Sequence, residues 1–414
     1  MADKPLDLDF VRSFFPALND SWAFMENAGG SLVPHTVIDR VKDYMSECQV
    51  QPGEGSAIAR EAARRMAQGH RTVAAMLNAE PEEVVVGPST TRNVIALAAG
   101  IRGWFKPGDE LIVTNLDHEA NNGHWRRLEE FGITVREWQV DPQTAELELA
   151  TLKPMLSEKT RLVCFSHCSN VVGGPNPVKE IADAVHAVGG LVCVDGVAYA
   201  PHGCVDVKAL DVDFYLFSLY KTFGPHLGVM YGRKELLLKA RGQYFYFHGE
   251  DNVPLKMNPG APNHELTAGC VGIGEYFEAL AAHHLEEPAN DLHGRIRQIY
   301  KLIAAHEENL SRRFLDHVAA NPRIRLIGRH TADHDRRAPT FSFTVEGMAS
   351  QDVMAHLERH GIAANAGDFY APRVLEAIGI DPRDGAVRCS FVHYNTAAEV
   401  DRLVKALESL PAAA

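Results

Sequence analysis

Two side chains define the chemistry open to this sequence. Lys221 follows the apolar run Asp213-Phe214-Tyr215-Leu216-Phe217-Ser218-Leu219-Tyr220 and precedes Thr222-Phe223-Gly224-Pro225. An amine delivered at the end of a buried strand is costly unless the site uses it. Desolvated, such an amine sheds its proton near neutral pH and attacks an aldehyde to form a Schiff base. Asp195 closes a second apolar run, Gly190-Leu191-Val192-Cys193-Val194. An acid and an amine on two strand ends suit pyridoxal 5'-phosphate (PLP). The acid would pair with the ring nitrogen and the amine would hold the aldehyde carbon. The ring is then an electron sink for a carbanion at a substrate's α carbon, and Lys221, once released, shuttles protons. Taken singly, Asp195 also reads as a loop cap and Lys221 as a surface lysine.

Three further groups fall after expected strands, where ligands of open α/β sheets collect. Ser89-Thr90-Thr91 lies between a strand at Glu83–Val86 and a helix from Arg92 to Ala99. Hydroxyls at a helix N-terminus can cradle a phosphate, and they are equally the residues that cap helices. Asp117-His118-Glu119-Ala120-Asn121-Asn122 follows a strand at Glu110–Thr114, and His118 could stack on a flat ring or stand in solvent. Ser166-His167-Cys168-Ser169-Asn170 follows a strand at Arg161–Ser166. Asn170 could donate to a ring oxygen or serve the turn that Gly173-Gly174-Pro175 implies. Ser218, three residues before Lys221, offers one more hydroxyl.

The elements that must position these groups alternate. Helices are expected at 34–48, 60–77, 121–131, 149–156 and 177–188, with strands at 134–138, 191–194 and 214–217 between or after them. An antiparallel member is expected at Gly228–Tyr231. This order predicts an α/β fold with a large, mostly parallel sheet covered on both faces. Helices at 269–283 and 291–318, strands at 340–345 and 386–391, and helices at 350–360 and 397–410 predict a smaller α+β C-terminal domain. The chain, 414 residues long, is long enough for a large core and two or three domains. A net charge of −13 argues against nucleic acid or an anionic membrane as partner. No apolar stretch approaches the roughly 18 to 20 residues that span a bilayer, and Met1–Asp7 lacks a secretory pattern. Seven cysteines without a Cys-x-x-Cys pair predict reduced thiols and a cytoplasmic setting. No metal-ligand spacing is present among the histidines. No Gly-x-Gly-x-x-Gly turn follows an early strand, which argues against a nicotinamide-dependent oxidoreductase.

With those residues in view, the chain resembles the class V PLP-dependent aminotransferase superfamily, in its cysteine desulfurase-like branch. The resemblance runs from Phe24-Met25-Glu26-Asn27-Ala28-Gly29-Gly30-Ser31 to Arg388-Cys389-Ser390-Phe391-Val392-His393-Tyr394-Asn395-Thr396, and Val194-Asp195-Gly196 and Ser218-Leu219-Tyr220-Lys221 are its most specific parts. It implies PLP fold type I (aspartate aminotransferase-like), with residues 20–282 as a large PLP-binding domain and residues 1–19 with 283–414 as a small one. By correspondence Lys221 is the Schiff-base lysine, Asp195 the pyridinium partner and His118 the stacking residue. Ser89, Thr90, Thr91 and Ser218 fall at the phosphate, Asn170 near the ring oxygen, and Arg388 on the substrate carboxylate. Asn27 and Tyr370 join Arg388 as candidate substrate-binding residues, and Tyr220 joins the candidate catalytic set. A homodimer with active sites near its interface is also implied.

The chain departs from that branch where sulfur would be carried. Desulfurases place a nucleophilic cysteine in a loop before the last strand, and Ala366-Gly367-Asp368-Phe369-Tyr370-Ala371-Pro372 holds Tyr370 there. Tyr220 stands where a histidine usually precedes the lysine, Val197-Ala198 where a glutamine is usual, and Ala261 where a hydroxyl residue is usual. The reading is a PLP-dependent enzyme acting on an amino acid or amine. Its expected reaction is a β-elimination that cleaves a C–S (or C–Se) bond without a persulfide cysteine. A PLP-dependent epimerase or aminotransferase is the alternative enzyme, and a non-catalytic PLP-binding protein is the alternative outside catalysis.

Overall fold

Runs of β-branched and aromatic residues, buried on both faces, build the centre of the molecule, seen here in a computed structural model that describes residues 5–260 and 262–411. Ala261, expected near a partner's phosphate, lies outside the described residues. The strands are β1 (Ala23–Phe24), β2 (Val84–Gly87), β3 (Glu110–Thr114), β4 (Thr134–Trp138), β5 (Thr160–Ser166), β6 (Leu191–Asp195), β7 (Phe214–Ser218), β8 (Gly228–Gly232), β9 (Ile324–Leu326), β10 (Thr340–Val345), β11 (Ile362–Ala363), β12 (Asn365–Gly367) and β13 (Ala386–Ser390).

Seven of them form one sheet in the order β2-β8-β7-β6-β5-β3-β4. The five strands from β7 to β4 are parallel, and β8 runs antiparallel to both β7 and β2. Val85, Leu111, Val113, Cys164, Cys193 and Leu216 pack on one face with helix Thr90–Ile101; Ile112, Val163, Phe165, Val194 and Phe217 pack on the other. Burial on both faces is why these strands read as unbroken apolar runs. A second sheet, antiparallel throughout, has the order β12-β13-β10-β9. The α/β class, the mostly parallel sheet, the antiparallel β8 and the smaller sheet are as the alternation implied.

Three differences matter for the site. The helix expected over 121–131 is three short pieces, Glu119–Asn121, Gly123–Arg126 and Arg127–Phe131. Buried Asn122 gives its amide to the carbonyl of Thr114, at the end of β3, at 2.6 Å. Side chains that bond backbone in this way compete with the helix. The helix expected over 149–156 stops at Leu152 and tightens into a 3-10 turn at Lys153-Pro154-Met155, as proline requires. Finally, β1 pairs in parallel with β11, and Glu26 bridges Ser390. The N-terminal segment therefore reaches the end of β13 and brings Glu26 beside it.

Candidate active site

The carboxyl ends of β2, β3, β5, β6 and β7 open into one crevice. Ser89, Thr90, Thr91, His118, Asn170, Asp195, Ser218, Tyr220 and Lys221 line it together. Nine of the twelve residues singled out in the sequence therefore meet. Asp195 is the last residue of β6 and sits in register with Ser166 at the end of β5. One of its oxygens accepts from the Val197 N–H at 2.9 Å. Burial raises its carboxyl to about 6, against that hydrogen bond and the Lys221 charge.

Lys221 ends the 3-10 turn that follows β7. It is 9% exposed, and among the described residues its amine makes no hydrogen bond or ion pair; the Tyr220 ring lies 5.8 Å away. Burial lowers the amine to about 8, helped by the Arg388 charge and opposed by Asp195 and Glu26. His118 is lowered to about 4, first by burial and then by the Lys221 and Arg388 charges. It is therefore a neutral imidazole at pH 7, and its Nδ1 accepts from the Ala120 N–H at 3.0 Å.

At the other end of the crevice, Ser89 caps helix Thr90–Ile101, and the Thr90 and Ser218 hydroxyls meet at 2.7 Å. Gly228 of β8 lies against this turn; a Cβ there would collide with the Ser89–Thr90 backbone. The glycine thus admits a cradle of hydroxyls and helix N–H groups suited to an anion. Anion cradle, neutral flat ring, buried acid and unpartnered buried amine are the donor set that PLP needs, and the residues fit it.

The remaining three residues are placed differently. Asn27 lies outside the crevice lining. Its amide donates to the carbonyls of Phe24 and Ser390 and to Asn395, and its oxygen accepts from the Tyr394 hydroxyl. It ties β1 to the last strand rather than facing the crevice. Tyr370 is 72% exposed at the rim, with its ring 5.4 Å from that of His118. Arg388 is 3% exposed behind the crevice wall. It donates to the Asn170 carbonyl at 3.1 Å and to Glu26 at 2.7 Å, and its guanidinium lies 4.0 Å from the centre of the Phe369 ring. The Asn170 amide is committed too, donating to the Phe369 carbonyl at 2.9 Å.

The loop that carries Phe369 and Tyr370 packs over this corner, on Arg388 and beside His118, and is called the lid below. Both residues take left-handed conformations, φ +53° and +56°, which non-glycine residues hold only under constraint. The constraints are the Asn170 bond, the Glu119 N–H to the Tyr370 carbonyl at 2.8 Å, and the Arg373–Glu119 ion pair at 2.8 Å.

Several residues here were not singled out in the sequence. Ser166, Cys168 and His226 line the crevice, His226 stacked on Tyr220 with ring centres 4.2 Å apart. Buried Asp117 is raised to about 8 by desolvation, with the Asp195 charge adding. Its place beside His118 was the available signal. Glu26 had none, since its partner is 362 positions away.

The aminotransferase class-V family model matches residues 23–403. The aminotransferase-like protein FGM3 of Gibberella zeae is 37% identical, over 99% of each chain. The cysteine desulfurase-like protein ustD of Aspergillus flavus is 35% identical, over 99% of this chain and 91% of its own. Among solved structures, the cysteine desulfurase CsdA of Escherichia coli superposes with a TM-score of 0.81 at 26% identity, covering 98% of each chain. The chain belongs to the aminotransferase class-V family and is a PLP-dependent enzyme.

Proposed function

We propose that this enzyme cleaves the carbon–sulfur (or carbon–selenium) bond of an amino acid by β-elimination and releases the sulfur species directly. The supporting observation is the lid. Its tip holds Tyr370, and the cysteines that adjoin the crevice and Arg388 are poor sulfur carriers. Cys168 is buried with its thiol raised to about 12, and burial raises Cys389 further. Thiolates, not thiols, are the nucleophiles of sulfur transfer.

PLP, when bound, supplies the electron sink for the α carbanion. In this reading Ser89, Thr90, Thr91 and Ser218 hold its phosphate, Asp195 keeps its ring nitrogen protonated, and His118 lies on its ring. Asn170 serves the ring oxygen once its bond to the lid is released. Lys221 holds the aldehyde carbon and moves the proton at the substrate's α carbon. Arg388 takes the substrate carboxylate. Tyr220, kept protonated by burial, gives a proton to the departing sulfur. Cysteine and one water then yield sulfide, ammonia and pyruvate, with no net oxidation or reduction. The seven unpaired cysteines support a reducing, cytoplasmic setting. A homodimer is supported by an apolar groove that shares His226 with the crevice.

The test is a panel of amino acids offered to the PLP-loaded protein without added reductant, scored for sulfide, pyruvate, alanine and chirality. Equal amounts of sulfide and pyruvate are expected from a sulfur amino acid. Alanine with a protein-bound persulfide would overturn the reading. Pyruvate that appears only with a keto-acid acceptor would make the enzyme an aminotransferase, and loss of chirality alone an epimerase. No turnover of any sulfur amino acid would overturn the reading as well.

A further inference from the structure

Arg388 already has a carboxylate. Glu26 sits 2.7 Å from one terminal nitrogen of the guanidinium, the Asn170 carbonyl 3.1 Å from the other, and Phe369 covers one face. The arrangement leaves matched vacancies: the Arg388 Nε–H and the second Glu26 oxygen are both buried and without a hydrogen-bond partner among the described residues. The Glu26 side chain reaches Arg388 from a turn in which the Gly29 and Gly30 N–H groups both donate to the Glu26 carbonyl. A Cβ on Gly29 would collide with the bound Glu26 oxygen, so the glycine admits this pose.

A buried guanidinium is stabilised by one carboxylate and its remaining hydrogen bonds. Two carboxylates on one cation leave an uncompensated negative charge where screening is weak. Arg388 can therefore serve Glu26 or a substrate carboxylate, and the second displaces the first. We propose that Glu26 is the resident occupant of Arg388, exchanged for the substrate's α-carboxylate, and so determines specificity between amino acids and amines lacking that group. This inference rests on the reading of Arg388 as the carboxylate site. An amine leaves the Glu26–Arg388 pair intact and binds without competing with it. An amino acid must first break the pair, so Glu26 narrows the enzyme's preference for amino acids and admits amines to its substrate class.

The experiment uses the PLP-loaded enzyme and two probes that differ by one carboxylate, L-alanine and ethylamine. Binding is read from the change each causes in the absorbance of the protein-bound cofactor. Glu26→Gln keeps the shape and removes the charge. It should tighten alanine binding roughly tenfold, the scale of one charge-assisted hydrogen bond no longer opposed, and leave ethylamine within about twofold. Gly29→Ala, which pushes the carboxylate away without altering either partner, should move alanine the same way. If Glu26→Gln fails to fold, Gly29→Ala decides. Unchanged or weaker alanine binding in the folded variants, or equal shifts for both probes, would overturn the exchange. Arg388→Ala separates the two levels: it should weaken alanine far more than ethylamine. Equal weakening of both would remove the carboxylate reading itself, and the exchange with it.

Discussion

Lys221 and Asp117 show one force, desolvation, shifting an amine and an acid in opposite directions. Lys221→Ala removes the one primary amine that lines the crevice among the described residues, so borohydride should no longer fix PLP to the protein. Wild type should retain the reduced cofactor through denaturation, and a variant that does the same would show the lysine misassigned. Asp117 works behind the site. Its carboxyl rises from near 4 to about 8 on folding, so the folded chain binds a proton that the unfolded chain has lost between those values. The Asp117 contribution to wild-type stability should therefore fall as pH rises from about 4 to about 8, and level off above. Asp117→Asn has no such proton and should lose that part of the slope. The check is the unfolding midpoint of apo wild type and variant at several pH values. Parallel curves between pH 5 and 8 would show that Asp117 is ionised in the fold.

The segment after β3 holds His118 in place, and it does so by leaving the helix that its composition favours. Asn122→Ala would remove the side-chain partner of the buried Thr114 carbonyl and one of the two partners of Arg126, which also pairs with Glu137. A lost buried bond of this kind costs about 1–3 kcal/mol; the expected result is a lower unfolding midpoint together with weaker PLP retention. An unchanged midpoint would show the Asn122 bond to be dispensable. This segment also marks where sequence reading stops. Strands such as β5, β6 and β7 were legible because both faces are buried, and Lys221 and Asp195 because each closes such a run. The break at Asn122 was not, since the competing acceptor lies eight residues back on another element. The strands β1, β9, β11 and β12 span two or three residues each, too few for a period to show. The committed Asn170 amide and the Glu26–Arg388 pair depend on contacts 199 and 362 positions apart, and no local pattern encodes them.

The proposed partition into residues 20–282 and residues 1–19 with 283–414 has ties across it. Helix Leu292–Ala320 places Ile296, Ile299 and Ile303 in the core of the large sheet and Leu310, Phe314 and Val318 in that of the small one. Closure by sliding of rigid halves would have to bend this helix. A second copy would cover a surface that adjoins the crevice. Helix His35–Glu47 turns Ile38 (44% exposed) and Met45 (55% exposed) outward. With Val33, Val37, Val41, Pro225 and Leu266 they line an apolar groove whose remaining members include His226, itself part of the crevice wall. Contiguous exposed apolar surface of this kind marks an interaction site, and a second copy seated here would lie at the mouth of the crevice. Met45→Glu puts a charge in the groove at an exposed position, so the fold should survive while association is lost. Sedimentation should show wild type as a dimer and the variant as a folded monomer with weaker PLP retention. A Met45→Glu protein that still sediments as a dimer would place the interface on another face and detach His226 from it.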